Sequence, residues 1–222
     1  MILIGVLITC SYYSFELAAL PSGPNTKMIV AVMGLVWFAY DNLLRRSRRG
    51  VQLPQVMVVG LLFAGLYSII NILAIEVNGT DDYTYANYIT TFLVWVFSVY
   101  PAIALMRITH GSVTLPILTH YLVAITLFQC ATGLIMDNSP AFDEFNSKIV
   151  LWERDFFDRI ERIRCFSTSL DLAGVRFALV LILIMALLTT DDSVRTNKGA
   201  ALYLLFSFFV ITGIGNMVAR TT

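Results

Sequence analysis

The chain has 222 residues, of which 58% are hydrophobic and 14% charged, and its mean hydropathy is +0.76. Soluble domains run about 45–50% apolar and about 25% charged, so this composition excludes a disordered tail, a secreted disulfide scaffold and an ordinary cytosolic enzyme. Fifteen Lys and Arg balance fifteen Asp and Glu, and that neutrality gives no pointer to nucleic acid.

A helix that crosses a bilayer needs about 20 mostly apolar residues. In chain order the candidate spans are Leu3–Leu20, Met28–Leu44, Val56–Ile75, Tyr88–Met106, Leu115–Ile135, Leu172–Leu188 and Ala200–Val218, seven in all. No basic residue precedes the first and no clean small-residue cleavage site follows it, so it reads as a retained span rather than a signal peptide. Only helices or closed barrels satisfy their backbone hydrogen bonds in lipid, and no run of alternating strands is present. The expectation is an all-α, polytopic transmembrane bundle forming a single domain over residues 1–222. Cys10, Cys130 and Cys165 are odd in number and widely spaced, without a CxxC pair or metal spacing. Cys10 and Cys130 read as small apolar residues inside helices.

The connections set the expected orientation. Pro21-Ser22-Gly23-Pro24-Asn25 is a turn cluster between the first two spans. Arg45-Arg46-Ser47-Arg48-Arg49-Gly50 follows the second span, and four arginines in six residues mark that loop as cytoplasmic. By parity the N-terminus is cytoplasmic, Glu76–Asn87 is external, Arg107–Thr114 internal, Met136–Asp171 external and Thr189–Gly199 internal. The long external stretch nevertheless carries Lys148, Arg154, Arg159, Arg162 and Arg164. Orientation is taken from the early loops, because the first helices usually dominate it.

Within that stretch Asn138-Ser139-Pro140 signals a turn, and Asn146 or Ser147 is placed to cap a helix. Ile149, Trp152, Phe156, Ile160 and Ile163 recur at helical spacing, with Asp155–Arg159 and Asp158–Arg162 as supporting pairs. An amphipathic helix over 146–166 is expected, lying in the interface with its aromatic side down or packed against the bundle.

Motifs of soluble enzymes are missing: there is no glycine-rich phosphate loop, no GxSxG, no HExxH and no cluster with metal spacing. His120 lies inside the fifth span, where an ionisable group reads either as functional or as a neutral histidine bonded within the bundle. The stretch His110-Gly-Ser-Val-Thr-Leu-Pro-Ile-Leu-Thr-His120 resembles the histidine-bearing helix of intramembrane CAAX-type proteases. That family pairs it with adjacent glutamates on an earlier helix, whereas Glu16 and Glu76 each stand alone here.

Arg162, Arg164, Arg176 and Arg220 fall at or near the expected outer face. Guanidinium binds phosphate through parallel hydrogen bonds and keeps its charge, so arginines above an apolar wall suit a lipid-linked diphosphate. Each taken singly also reads as an arginine snorkelling to headgroups. The stretch from about Leu127 to Thr222 resembles the middle of the O-antigen ligase and O-antigen polymerase family. The residues that carry the likeness are Phe128-Gln129-Cys130-Ala131-Thr132-Gly133, Arg162-Ile163-Arg164-Cys165-Phe166-Ser167, Leu172-Ala173-Gly174 and Gly215-Asn216-Met217-Val218-Ala219-Arg220-Thr221-Thr222. Cys165 stands where the family has glycine before the phenylalanine, and Ser167–Leu170 replaces its Asn-Pro pair. The early helices resemble the family in hydropathy and topology alone.

This resemblance implies a bacterial inner-membrane protein of O-antigen or capsule assembly. It would transfer or polymerise glycan from a polyprenyl-diphosphate carrier at the outer face, with Arg164, Arg176 and Arg220 contacting the diphosphate. It implies no metal and no cofactor. It places the catalytic histidine in a later outer loop, so no catalytic residue is assigned, and the chain is expected to correspond to the family's N-terminal half. The alternative reading is a non-catalytic membrane subunit, sensor or transport domain that works with a membrane-protein partner. Scattered Ser and Thr with Asn71 and Gln129, ordinary for helix packing, are its only polar signature.

Overall fold

Residues 1–20, 24–45, 55–151, 163, 165–166 and 170–218 are described by the computed structural model. The helices are α1 (Ile2–Tyr12), α2 (Thr26–Ala39), α3 (Gln55–Asn78), α4 (Tyr88–His110) and α5 (Leu115–Asn138). They continue with α6 (Pro140–Ile149), α7 (Leu170–Thr190), α8 (Asp192–Thr196) and α9 (Lys198–Val218). Five of them, α3, α4, α5, α7 and α9, are long and apolar enough to cross a membrane. Their outward faces carry Leu62, Phe63, Val175, Ile182, Leu202, Phe206 and Phe209, all exposed. An apolar surface that continuous is a liability in water and fits contact with lipid.

The first two expected spans take other forms. The expectation of a helix over Leu3–Leu20 meets an α1 that stops at Tyr12. At about 1.5 Å per residue α1 is roughly 16 Å long, short of the apolar thickness of a bilayer. Its end is determined by a side chain from the next helix. The Thr26 hydroxyl donates to the Cys10 carbonyl (3.1 Å) and accepts from the Phe15 amide (3.1 Å), so it satisfies backbone groups that a continuing helix would have paired. α2 opens with Asn25 accepting from the Met28 amide, then passes into a π-helical stretch, Tyr40–Arg45. Together they give twenty helical residues from Thr26 to Arg45.

α2 packs most extensively against α4. Pro101 lies inside α4 and has no N–H, so the Phe97 carbonyl four residues earlier lacks its helical partner. That carbonyl faces Gly34 of α2, where a β-carbon would overlap it. The absent side chain on Gly34 therefore lets two backbones meet where one of them has a carbonyl to spare. The Ser11 hydroxyl of α1 donates to the Ser98 carbonyl, also on α4, at 2.8 Å.

Named contacts give the helix directions. Lys27, Gly34 and Phe38 of α2 meet Trp95, Phe97 and Tyr100 of α4 in parallel order. Gly60 and Tyr67 of α3 meet Phe92 and Tyr88 in antiparallel order. Tyr13 after α1 reaches Thr126 of α5, Tyr12 reaches Arg176 of α7, and Phe177 of α7 lies beside Gly215 of α9. One end of the bundle, here the upper end, thus gathers the C-termini of α1, α3, α5 and α9 and the N-termini of α2, α4 and α7. Gly111, with φ 74, ends α4 at the lower end and lets the chain turn into α5. Between α7 and α9, Asp191 caps α8. The Ser193 hydroxyl and the Ser193 and Val194 amides hold its carboxyl below the usual carboxylate range.

At the upper end, Asn146 and Ser147 lie in the last turn of α6, which began at Pro140, rather than opening a helix. Val150 is extended and bridges to Leu17, with Ala18 donating to the Ile149 carbonyl and Leu151 to the Glu16 carbonyl, each at 2.9 Å. The strand-like pairing gives the backbone after α6 partners that a helix would otherwise have supplied. Most of the amphipathic helix expected over 146–166 lies outside the described residues.

Gly34→Ala is expected to force α2 and α4 apart and cost about 1–3 kcal/mol. Gly65→Ala, whose new carbon would sit at 3.7 Å from the Ile89 side chain, is expected to be nearly neutral. Thermal unfolding of both variants in detergent micelles measures the difference.

Candidate functional site

The upper half of the bundle has a polar interior. Arg176, in the second turn of α7, is 7% exposed, so it points inward instead of snorkelling to headgroups. Its guanidinium carbon lies 5.5 Å from the centre of the Tyr12 ring and 5.4 Å from that of Tyr13. The Tyr12 hydroxyl donates to the Arg176 carbonyl at 3.3 Å, and the two tyrosine rings meet edge to face. The Tyr13 ring is fully buried, and its hydroxyl pairs with Thr126 at 2.9 Å. The tyrosines stand at the frayed end of α1, so the early end of that helix is what turns both rings onto Arg176.

A second buried cation belongs to α2. Lys27, 9% exposed in the first turn of α2, places its ammonium 3.7 Å from the centre of the Trp95 ring on α4. Among the described residues neither Lys27 nor Arg176 makes an ion pair. Cation–π contacts of this kind contribute about 0.5–2 kcal/mol each. Removing a charge from water costs several kcal/mol even after relaxation. The rings therefore do not offset the burial of two positive charges. Buried charges in proteins are ordinarily paired, and among the described residues the contacts of these two are with aromatic rings.

One turn beyond Thr126 toward the upper end, Gln129 is fully buried, and among the described residues neither its amide atoms nor those of the buried Asn146 have a hydrogen-bond partner. In lipid such groups are conspicuous, because water is not there to satisfy them.

Of the arginines expected to hold diphosphate, Arg176 is the one the structure places; Arg164 and Arg220 lie outside the described residues. Lys27 was missed in the sequence because a lysine just ahead of an apolar run looks like an interfacial anchor. Its burial arises from α4 and α1 crossing over it, which no local pattern signals. His120 turns out to be bonded within the bundle: Nδ1 donates to the Pro116 carbonyl at 2.7 Å, and the ring stacks on Tyr203 of α9. His110 pairs with the Tyr121 hydroxyl at 3.0 Å on the surface. Glu16 is exposed past the end of α1 and Glu76 is exposed in the last turn of α3, while His120 lies about 9 Å below Thr126 on α5. The structure does not bring the pieces of a carboxylate–histidine water-activating site together. Among the described residues no group of three or more His, Cys, Asp and Glu is placed to hold a metal.

No protein-family model, curated protein or solved structure matches the chain.

The Tyr13–Thr126 pair ties α1 to α5 beneath the cations. A double-mutant cycle of Tyr13→Phe and Thr126→Val, followed by unfolding in micelles, is expected to return a coupling of about 0.6 kcal/mol and less than about 1.7 kcal/mol.

Proposed function

We propose that the protein is a bacterial inner-membrane protein that holds a polyprenyl-diphosphate-linked glycan at the outer face, for transfer or polymerisation of the glycan. One observation carries this reading: Arg176, expected to contact diphosphate, is buried inside the bundle against two tyrosine rings, and among the described residues no carboxylate pairs with it. An arginine serving only to anchor a helix in headgroups would stay at the surface.

In this reading seven helices are membrane-embedded: the five long ones, α2 with its π-helical extension, and α1. The arginine loop that begins at Arg45 is cytoplasmic, which makes the upper end the outer end and the N-terminus cytoplasmic. The lipid tail lies along the apolar outer faces of the helices while the diphosphate enters among Arg176 and its neighbours. In the transfer, an acceptor hydroxyl oxygen bonds to the anomeric carbon, the bond from that carbon to the diphosphate oxygen breaks, and the hydroxyl loses its proton. Negative charge grows on the leaving diphosphate, and a fixed guanidinium stabilises it without reorganising. A donor-holding role is the part assigned to this chain's own residues.

Two measurements test the reading. Nanodiscs carrying the protein are expected to retain a polyprenyl-diphosphate-linked glycan, with retention at least about tenfold weaker for Arg176→Gln. Equal retention by the variant, or none by the wild type, would overturn the reading. For orientation, a reporter active only outside the cytoplasm is expected to be active after Asp82 and silent after Arg49; the reverse result moves Arg176 to the cytoplasmic side.

A further inference from the structure

We propose that Asn78 is the acceptor for an N-linked glycan, attached at the end of α3 on the outer side of the membrane by a membrane oligosaccharyltransferase. This site shares with the donor-holding reading only the assignment of the upper end as the outer end.

Of the nine asparagines in the chain, Asn78 is the one followed two places later by a hydroxyl residue, in Asn78-Gly79-Thr80. With any residue but proline between them, that spacing is the acceptor pattern for N-glycosylation. The structure puts all three residues at the surface. Asn78 is the last residue of α3, so its carbonyl has no partner within the helix. Gly79 has φ 61, and a β-carbon there would meet nothing within 4 Å. The Thr80 amide donates to the Ile75 carbonyl at 3.3 Å, the closure expected of a helix ended by a left-handed glycine. At that length the bond is weak, and only the final turn has to unwind for the tripeptide to enter an active site. The helix also carries the acceptor clear of its neighbour. Tyr67 meets the ring of Tyr88, the first residue of α4, at 4.9 Å, and the Ser68 hydroxyl accepts from the Ile89 amide at 3.0 Å. From Tyr67 to Asn78, α3 therefore runs past the start of α4 by about 16 Å along its own axis. The turn at Gly79 is the tip of that projection.

The donor class is a lipid-diphosphate-linked oligosaccharide. The Asn78 Nδ2 bonds to the anomeric carbon of its first sugar. The bond from that carbon to the diphosphate oxygen breaks, and its electron pair leaves with the diphosphate. A base on the transferase takes one amide proton. The amide lone pair is delocalised into its carbonyl, as in a peptide bond, so activation of the nitrogen belongs to the transferase. What this chain supplies is an acceptor that can be reached. An attached glycan is bulky and hydrated and does not enter lipid. It therefore holds the end of α3, with its exposed Val77, on the side where it was added.

The test produces the full chain in bacterial cells that carry a membrane oligosaccharyltransferase and a lipid-diphosphate-linked oligosaccharide. A soluble protein bearing an Asn-Gly-Thr tripeptide, made in the same cells, reports that the transferase works. Mass spectrometry is expected to find the glycan on the peptide containing Asn78 and none on Asn87 or Asn138, which lack a hydroxyl two places on. Asn78→Gln is expected to abolish the modification. Thr80→Ala is expected to lower its occupancy about tenfold or more, and Thr80→Ser to keep it. A bare Asn78 in the wild type beside a modified control protein overturns the proposal, and that measurement needs no variant to fold. Equal occupancy in Thr80→Ala overturns it too. The reporter fused after Asp82 separates the causes. If it is active while Asn78 stays bare, the orientation stands and the glycan site fails. If it is silent, the outer assignment fails and the site fails with it. If Asn78 is modified while the wild type retains no glycan carrier in nanodiscs, the donor reading fails and the glycan site stands.

Discussion

Helices in lipid have no hydrophobic reason to leave it for one another, since the acyl chains are as apolar as leucine. What holds such a bundle is close backbone approach and a small number of polar contacts, and both are visible here. Gly34 brings α2 onto the Phe97 carbonyl that Pro101 leaves without a partner. Ser11 bonds the backbone of α4, and Tyr13 bonds α5 through Thr126. Two of these contacts come from α1 and the residue after it, and α1 touches α2, α4 and α5. The bundle is organised around a helix too short to cross a bilayer by itself.

The shortness of α1 has a chemical consequence. Had it continued to Leu20, Tyr12 and Tyr13 would sit within a regular helix and the Thr26 hydroxyl would lack the carbonyl it caps. Its early end instead frees the chain to pair with 149–151 and turns two aromatic rings toward α7. Arg176 and Lys27 are buried by that arrangement, one over tyrosines and the other over a tryptophan. The same constraint that makes polar groups scarce in lipid makes two buried cations without an ion pair among the described residues informative. They cost too much to be incidental, and aromatic faces return too little.

Much of the fold was legible without coordinates. Spans expected at Val56–Ile75, Tyr88–Met106, Leu115–Ile135, Leu172–Leu188 and Ala200–Val218 coincide with α3, α4, α5, α7 and α9 to within a few residues at most ends. The reason is local: a run of about 20 apolar residues has few other ways to satisfy its backbone. The departures have non-local causes. α1 ends because of a threonine on the next helix, and α6 ends where residues 149–151 pair with 16–18. Of the site, Arg176 was legible as a phosphate-capable side chain, but its inward direction was not, and nothing in the local pattern singled out Lys27.

By itself, then, the sequence determined that this is a helical chain suited to a membrane, because apolar content and segment length are properties of each stretch alone. It also determined which charged side chains exist near the ends of those segments. Only the tertiary structure decided which of them are buried and against what, since Lys27 lies over Trp95, 68 positions away, and Arg176 over Tyr12 and Tyr13, more than 160 positions away. An even balance of fifteen positive and fifteen negative residues describes the whole chain. Folding buried two cations at the upper end and paired neither with a described carboxylate.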